Sequence, residues 1–316
     1  MAQARSLVMP AGATGTYHVL SRCTRRSFLM GGENEHRKEW AAELLSELLQ
    51  CYAIDLQAYA LMSNHVHLVL RPRPDVAAAW GQKQLVERGL TQFPIRIGNG
   101  MDTLPLTPEL ITSRSRSADT VAEYKARLCS ITWFMRQFKQ RLAKRANAED
   151  HCTGHFWESR FLTIPLLDKG AVFSCMAYVD RNPLRAGLSE DLASTCFCSA
   201  RQRFGKSTGL TKAECALNKH VLPLQDCAPV DPSTGKIRSS QITTSEYRCL
   251  VDPTYKGIGS SVFANNGLDQ ELWREKSQEA GLFQGVAAGS RASREAFAAT
   301  QGKKIVADKT KIWDNR

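Results

Sequence analysis

Strand-like and helix-like hydrophobic patterns take turns along the first part of the chain. Residues 17–23 (Tyr-His-Val-Leu-Ser-Arg-Cys) read as a strand after a Gly- and Ala-rich start. From Asn34 to Gln50 the apolar residues Trp40, Leu44, Leu45, Leu48 and Leu49 recur at the spacing of an amphipathic helix. Residues 54–62 and 65–70 are β-rich runs separated by Ser63-Asn64, so they predict an antiparallel hairpin with a two-residue turn.

Residues 72–118 break this rhythm. They hold five of the chain's twelve prolines, from Pro72 to Pro108, and an Arg/Ser run at 113–117. This composition predicts a partly ordered insertion with one short helix near Trp80–Arg88. A single long helix is expected from Ala118 to about Ala148, its apolar stripe made by Leu128, Ile131, Phe134, Met135, Phe138 and Leu142. Between Lys125 and Ala148 there are seven Lys/Arg residues and no Asp or Glu, which suits either a solvated basic face or a face that tracks DNA. A loop containing Gly154-His-Phe-Trp157 leads to a short strand at 160–165. A further helix is expected from Asp168, as its N-cap, through Tyr178 toward Arg181, with Pro183 and Gly187 marking its end or a kink.

After Arg203 the pattern weakens, and helical signals return only near 268–279 and 291–300. A boundary near 205 therefore divides a 1–205 domain, carrying the insertion at about 72–118, from a 206–316 extension of unassigned role that reads as a smaller, loosely packed appendage. The order strand, helix, hairpin, helix, strand, helix predicts an α+β fold, a ferredoxin-like or RRM-like antiparallel sheet with packed helices.

A hydrophobic fraction of 43% and a charged fraction of 23% suit a globular chain with a buried core. Forty-two Lys/Arg against thirty-one Asp/Glu, a net charge of +11, favours a polyanionic partner without identifying one. Ten cysteines scattered from Cys23 to Cys249 contain no C-x-x-C pair, and residues 1–16 lack an apolar signal core. Free thiols in a reducing cytoplasm, with no membrane partner, are expected. No run approaches the ~20 apolar residues of a membrane span.

Two constellations carry chemistry. Asn64-His65-Val66-His67-Leu68-Val69-Leu70 places two histidines two apart on a strand, where residues i and i+2 share a face. The two imidazoles could chelate one divalent ion, or be two satisfied polar residues at a strand end. Tyr178 and Asn182, four apart near a helix C-terminus, also share a face. Asn182 offers a hard amide oxygen suited to Mg²⁺ or Mn²⁺. Tyr178 offers a phenol, a weak nucleophile until its oxyanion is stabilised, and taken alone it reads equally as a core tyrosine.

The strings Tyr17-His-Val-Leu-Ser-Arg22, Ala60-Leu-Met-Ser-Asn-His-Val-His-Leu-Val69, Gly154-His-Phe-Trp-Glu-Ser-Arg-Phe161 and Ala177-Tyr-Val-Asp-Arg-Asn-Pro-Leu-Arg-Ala-Gly187 occur in this order. Together they resemble the signature blocks of REP-associated tyrosine transposases, relatives of the single-tyrosine HUH insertion-sequence transposases. The resemblance covers about residues 14–205. It implies that His65 and His67 are paired metal ligands, that Asn182 supplies a third ligand and that Tyr178 is the catalytic tyrosine. It also implies that Trp157, Glu158 and Arg160 lie near the foot of a DNA hairpin and its guide bases, although Trp157 suits a core position equally well.

The implied activity is a metal-dependent nick in single-stranded DNA near a hairpin, through a 5′-phosphotyrosine link that a second 3′-OH can resolve. Arg22, Arg181 and Arg185 are candidate phosphate contacts, and Arg136 and Lys139 on the basic helix are candidates for a DNA groove. A cytoplasmic, nucleoid-associated protein is implied. A homodimer could set Tyr178 of one chain against the histidines of the other. Two other readings stay open at this level: a catalytically silent, domesticated DNA-binding regulator on the same fold, and a metallohydrolase that activates water. The insertion and the tail have no assigned counterpart in compact single-tyrosine transposases.

Overall fold

Strand β1 (Thr16–Arg22), helix α1 (Arg37–Cys51) and the hairpin strands β2 (Ile54–Leu61) and β3 (His65–Pro72) follow one another as the hydrophobic pattern expects. In this computed structural model the described residues are 14–98, 102–205, 208–228, 238–252, 261–276 and 287–300, with Met9, Gly12 and Tyr255. After β3 come α2 (Pro74–Ala78), α3 (Gln82–Gln92), a small hairpin of β4 (Arg96–Ile97) and β5 (Asp102–Thr103), and α4 (Pro108–Ser115). Helices α5 (Ala118–Leu128) and α6 (Ile131–Glu149) lead to β6 (Leu162–Leu166) and α7 (Lys169–Arg185). Then follow α8 (Ser199–Phe204), α9 (Lys212–Asn218), α10 (Thr244–Val251), α11 (Ser261–Asn265), α12 (Gln270–Lys276) and α13 (Arg291–Thr300).

The main sheet has the order β2-β3-β1-β6 with antiparallel neighbours throughout. With α1 crossing from β1 to β2 and α6 lying between β3 and β6, this is the split β-α-β-β-α-β arrangement of a ferredoxin-like fold. One face presents Tyr17, Val19, Tyr59, Leu61, Val66, Leu68 and Leu70 to a core completed by α1 and α6. The other presents Ala58, Ala60, Val69, Ile164 and Leu166 to α7. A register shift between Leu56 and Ala58 moves the pleat of β2 by one residue, so two alanines stand opposite Val69 and His67. Their small side chains leave room for α7 on the histidine face.

Two expectations are corrected. The segment 72–118 is helical over most of its described length rather than partly ordered, because Pro74 and Pro108 sit at the first positions of α2 and α4. There a missing N–H costs nothing and the fixed φ suits the helix. Leu85, Val86, Leu90 and Tyr124 form a small core of their own. Gly89 makes it possible, since a Cβ there would come within 2.4 Å of the Tyr124 ring. The single helix expected over 118–148 is two helices, divided where Ser130 Oγ accepts from Trp133 N at 3.4 Å and caps α6.

Residues after 205 pack on both faces of the sheet. Ala213, Leu217 and Val221 join the core under α1, and Leu222 N donates to Leu56 O beside the edge of β2 at 2.8 Å. Tyr247, Leu250, Val262 and Trp273 pack with α7 on the opposite side. Of the helix expected over 268–279, residues 277–279 lie outside the described residues. Among the described residues, no helix is long and apolar enough to cross a membrane.

Candidate active site

The antiparallel register of β1 and β3 sets Arg22 opposite His65, Leu20 opposite His67 and His18 opposite Val69. Opposed residues project to the same face. His18, Arg22, His65 and His67 therefore share the α7 side of the sheet.

His65 follows the Ser63–Asn64 turn, which the segment after β1 holds down. Cys23 N donates to Asn64 O at 2.8 Å, and Met30 N donates to Ser63 O at 2.9 Å. Asn64 Nδ2 donates to Arg26 O at 2.9 Å, which turns Asn64 Oδ1 toward His65 Nδ1, 2.6 Å away. An amide oxygen only accepts, so His65 carries its proton on Nδ1 and its Nε2 keeps a lone pair. His67, 3% exposed, is held in a similar way. Its Nδ1 is 2.8 Å from His18 Nε2, with the two rings stacked at 9° and 5.0 Å between centroids. The His65 and His67 rings meet edge to face at 4.8 Å.

Burial disfavours charge on all three imidazoles. It pushes His65 down to about 4, helped by the charge of Arg22, and His18 down to about 3, helped by His65 and then Arg22. His67 is driven well below its ordinary value by burial, then by His65 and His18. At neutral pH all three are uncharged, the state in which imidazole nitrogen can bind a metal.

Helix α7 brings up the tyrosine. Asp168 caps it as the sequence expects, with Oδ1 accepting from Ala171 N at 2.9 Å, and Oδ2 also accepts from Ser290 N and Ser293 Oγ, each at 2.8 Å. The Tyr178 ring, 3% exposed, stands edge-on to His67 at 5.7 Å and to His18 at 6.1 Å. Arg185 places its guanidinium carbon 5.0 Å from the centre of the Tyr178 ring. Asn182, one turn beyond, spends Nδ2 on Tyr178 O at 2.8 Å, leaving Oδ1 as the atom suited to a cation. The helix continues through Pro183 to Arg185, and the chain then turns at Gly187, whose φ of +67° favours glycine.

Among the described residues, no three His, Cys, Asp or Glu side chains group as a metal site. The candidate set is two imidazoles and one amide oxygen. The observation that fits it to a divalent ion is that each imidazole is held through Nδ1, which orients both rings and, for His65 on its amide oxygen, sets the tautomer.

The predicted DNA contacts divide. Arg22 is half-buried beside His65. Arg181, 5% exposed, lies inside: burial and then Arg185 lower it to about 10, while the Asp252 carboxylate acts to raise it. Trp157 is a core aromatic, packed near Phe138 with Nε1 donating to Lys139 O at 2.9 Å. Arg136, Glu158 and Arg160 are exposed and, with Lys139, line a groove of about 740 Å³ between α6 and residues 154–161. Lys139 Nζ donates to Ser159 O at 2.5 Å across it. Elsewhere on these helices Arg127 pairs with Glu123, Arg141 with Glu47 and Arg145 with Glu43. The basic face is thus part solvated ion pairs and part groove wall. The groove loop is stitched to the end of β1 by Thr24 N to Phe156 O and Glu158 N to Arg22 O, both 2.9 Å.

His18 and Asn64 were not singled out as site residues by the sequence reading. Both lie within the quoted blocks, but their roles arise from pairings across strands.

A ferredoxin-like sheet bearing a His-hydrophobic-His pair, faced by a helix tyrosine, has the layout of a single-tyrosine HUH protein. Residues 13–81 match the family described as "Transposase IS200 like", in agreement with the resemblance carried by the first two of the four sequence blocks. The matched segment contains His18, His65 and His67 and stops before Tyr178 and Asn182. No curated protein matches the chain. A solved structure described as "Structure of the REP associates tyrosine transposase bound to a REP hairpin" is similar at 12% identity and a TM-score of 0.37, covering 68% of this chain and 90% of that one.

Proposed function

We propose that this protein is a single-tyrosine DNA endonuclease and strand transferase acting on single-stranded DNA beside a hairpin. The observation that carries the reading is the meeting of Tyr178 with a histidine pair in which both rings are held through Nδ1, with the Nε2 side of each turned away from that bond. In this reading His65, His67 and Asn182 hold a divalent ion, Mg²⁺ or Mn²⁺, which when bound supplies Lewis-acid polarisation of the scissile phosphate.

The chain's own groups do the rest. Tyr178 attacks phosphorus, the bond from phosphorus to the 3′ oxygen breaks, and the tyrosine proton ends on the released 3′-OH. The phosphodiester energy is kept in the new tyrosine ester, so a second 3′-OH can reverse the step and join a different strand. Arg185 sets positive charge beside the ring where the phosphate must arrive. Arg22 stands next to His65 at the end of the sheet. Arg136, Lys139, Glu158 and Arg160 line the path of the DNA, while the buried Arg181 and Trp157 support the site from within. Part of the remainder after about residue 205, α10 to α12, supports α7.

Incubation with Mn²⁺ and an end-labelled DNA hairpin bearing unpaired flanks tests this. A denaturant-resistant protein–DNA adduct is expected from the wild type and none from Tyr178→Phe. His67→Ala should lose the adduct while keeping hairpin binding. Cleavage without an adduct would point to water activation, and binding without cleavage to a silent regulator.

A further inference from the structure

Between β1 and α1 the chain forms a short loop, Thr24–Phe28, that no step above uses. Phe28 is 68% exposed, ahead of Leu162 and Leu188 at 51% among the exposed large apolar side chains of the described residues. A ring this open gains little from folding, because its apolar surface stays in water. Its two near neighbours, Arg25 and Arg26, are exposed and adopt φ of +52° and +57°, a left-handed conformation that side chains with a Cβ rarely adopt. Two consecutive residues held there, just ahead of an unburied aromatic, are strain without a packing return. Such strain collects at ligand-binding sites.

The loop is anchored beside the candidate active site at two points, Thr24 and Arg26. Thr24 N bonds to Phe156 O of the groove loop at 2.9 Å. Arg26 O accepts from Asn64 Nδ2, and the same amide holds His65 Nδ1 through Oδ1. One asparagine therefore ties the basic loop to a histidine of the site. The loop thus touches both the groove loop and the turn that carries His65.

We propose that Thr24–Phe28 is a nucleobase clamp: the Phe28 ring stacks on an unpaired base of the DNA, and Arg25 and Arg26 neutralise its flanking phosphates. The occupant is single-stranded DNA, because an exposed ring two residues from a pair of exposed cations complements a base π-face next to backbone anions. The proposal rests on the DNA reading of the site and names a contact for its substrate.

The test reads binding, in EDTA, so that it is independent of catalysis. The probes are one hairpin with a short unpaired tail carrying 2-aminopurine and the same hairpin made blunt. Wild type should prefer the tailed hairpin and change the fluorescence of 2-aminopurine at one tail position. Phe28→Ala should weaken tailed-hairpin binding about tenfold, within the range of one lost base stack, and abolish that signal. It should leave blunt-hairpin affinity unchanged, and Phe28→Trp should restore both tail effects. Replacing Arg25 and Arg26 by Ala should lower the slope of log affinity against log salt by about 1.4 for two single-strand phosphates.

Equal affinity of the wild type for both hairpins overturns the clamp, as does a Phe28→Ala protein that binds the tail like the wild type. A stacked tail with no covalent adduct in Mn²⁺ would keep the clamp and sink the nuclease reading. An adduct with an indifferent Phe28 would do the reverse.

Discussion

Each imidazole in the sheet has two nitrogens, and what one is bonded to decides what the other can do. His65 is fixed through Asn64, and His67 through His18, whose own partner bond spans 49 residues of sequence. If His67 coordinates through Nε2, its Nδ1 proton must go to His18 Nε2. Replacing His18 by Ala should therefore weaken Mn²⁺ binding about 10- to 100-fold, the usual effect of losing a partner behind a metal ligand, and His18→Gln should recover part of it. Titration calorimetry reads this without any turnover. The His-x-His pair was legible because a strand repeats every two residues. His18 was not, since nothing in a single sequence says which residue of β1 will lie near His67. The same histidines make the metal-free protein sensitive to acid. Their folded values lie below the ordinary 6.5, so the unfolded chain takes up protons first as pH falls. The stability they contribute is full above about 6.5, is lost from there downward through about 4 for His65 and continues to fall toward about 3 for His18. Melting temperatures measured in EDTA should fall across that window, and His18→Gln should flatten the lower part of it.

Helix α7 is the element on which the site depends, and it is pinned at two places. Asp168 caps its start and also receives Ser290 N and Ser293 Oγ. Two residues past Tyr178, the buried Asp180 accepts from Arg203 Nη1 at 2.5 Å, from Tyr247 Oη at 2.6 Å and from Ser199 Oγ. Arg203 also reaches Gln57 O on β2, so the helix, the sheet and α10 meet at one carboxylate. Removing one partner of a buried ion pair leaves the other uncompensated and typically costs about 3–5 kcal/mol. Asp180→Ala should lower unfolding free energy in urea by that amount, and exposed Glu158→Ala, assayed alongside, should barely change it. The cap at Asp168 could be read from the sequence, as could α1 and the hairpin. The Asp180 network could not, because its partners Ser199, Arg203 and Tyr247 come from segments too short for periodicity to identify. The N-termini of α9 and α10 do leave a trace: Thr211 with Glu214 and Thr243 with Glu246 both form capping boxes. Prolines misled the reading of 72–118, where Pro74 and Pro108 begin helices instead of interrupting them.

Across the whole molecule, several of the candidate DNA contacts and the layout of the sheet meet at one end. There the groove beside α6, the Thr24–Phe28 loop and the histidine pair are stitched together by backbone bonds from Thr24, Cys23 and Glu158. The described helices α10, α11 and α12 pack on α7, which lies against the histidines of its own chain. The order of the elements was legible because strand and helix periods differ. The way the C-terminal residues pack was not, since their burial depends on a face that only the folded sheet creates. Tyr178 as the atom donor to DNA is the claim on which the functional reading stands. Peptide mapping by mass spectrometry of the protein after reaction with Mn²⁺ and a tailed hairpin tests it at the bond itself. The peptide containing Tyr178 should carry a nucleotide through a 5′ phosphate, with a free 3′-OH on the released strand. A nucleotide on another residue, or cut DNA with no modified peptide, would contradict it.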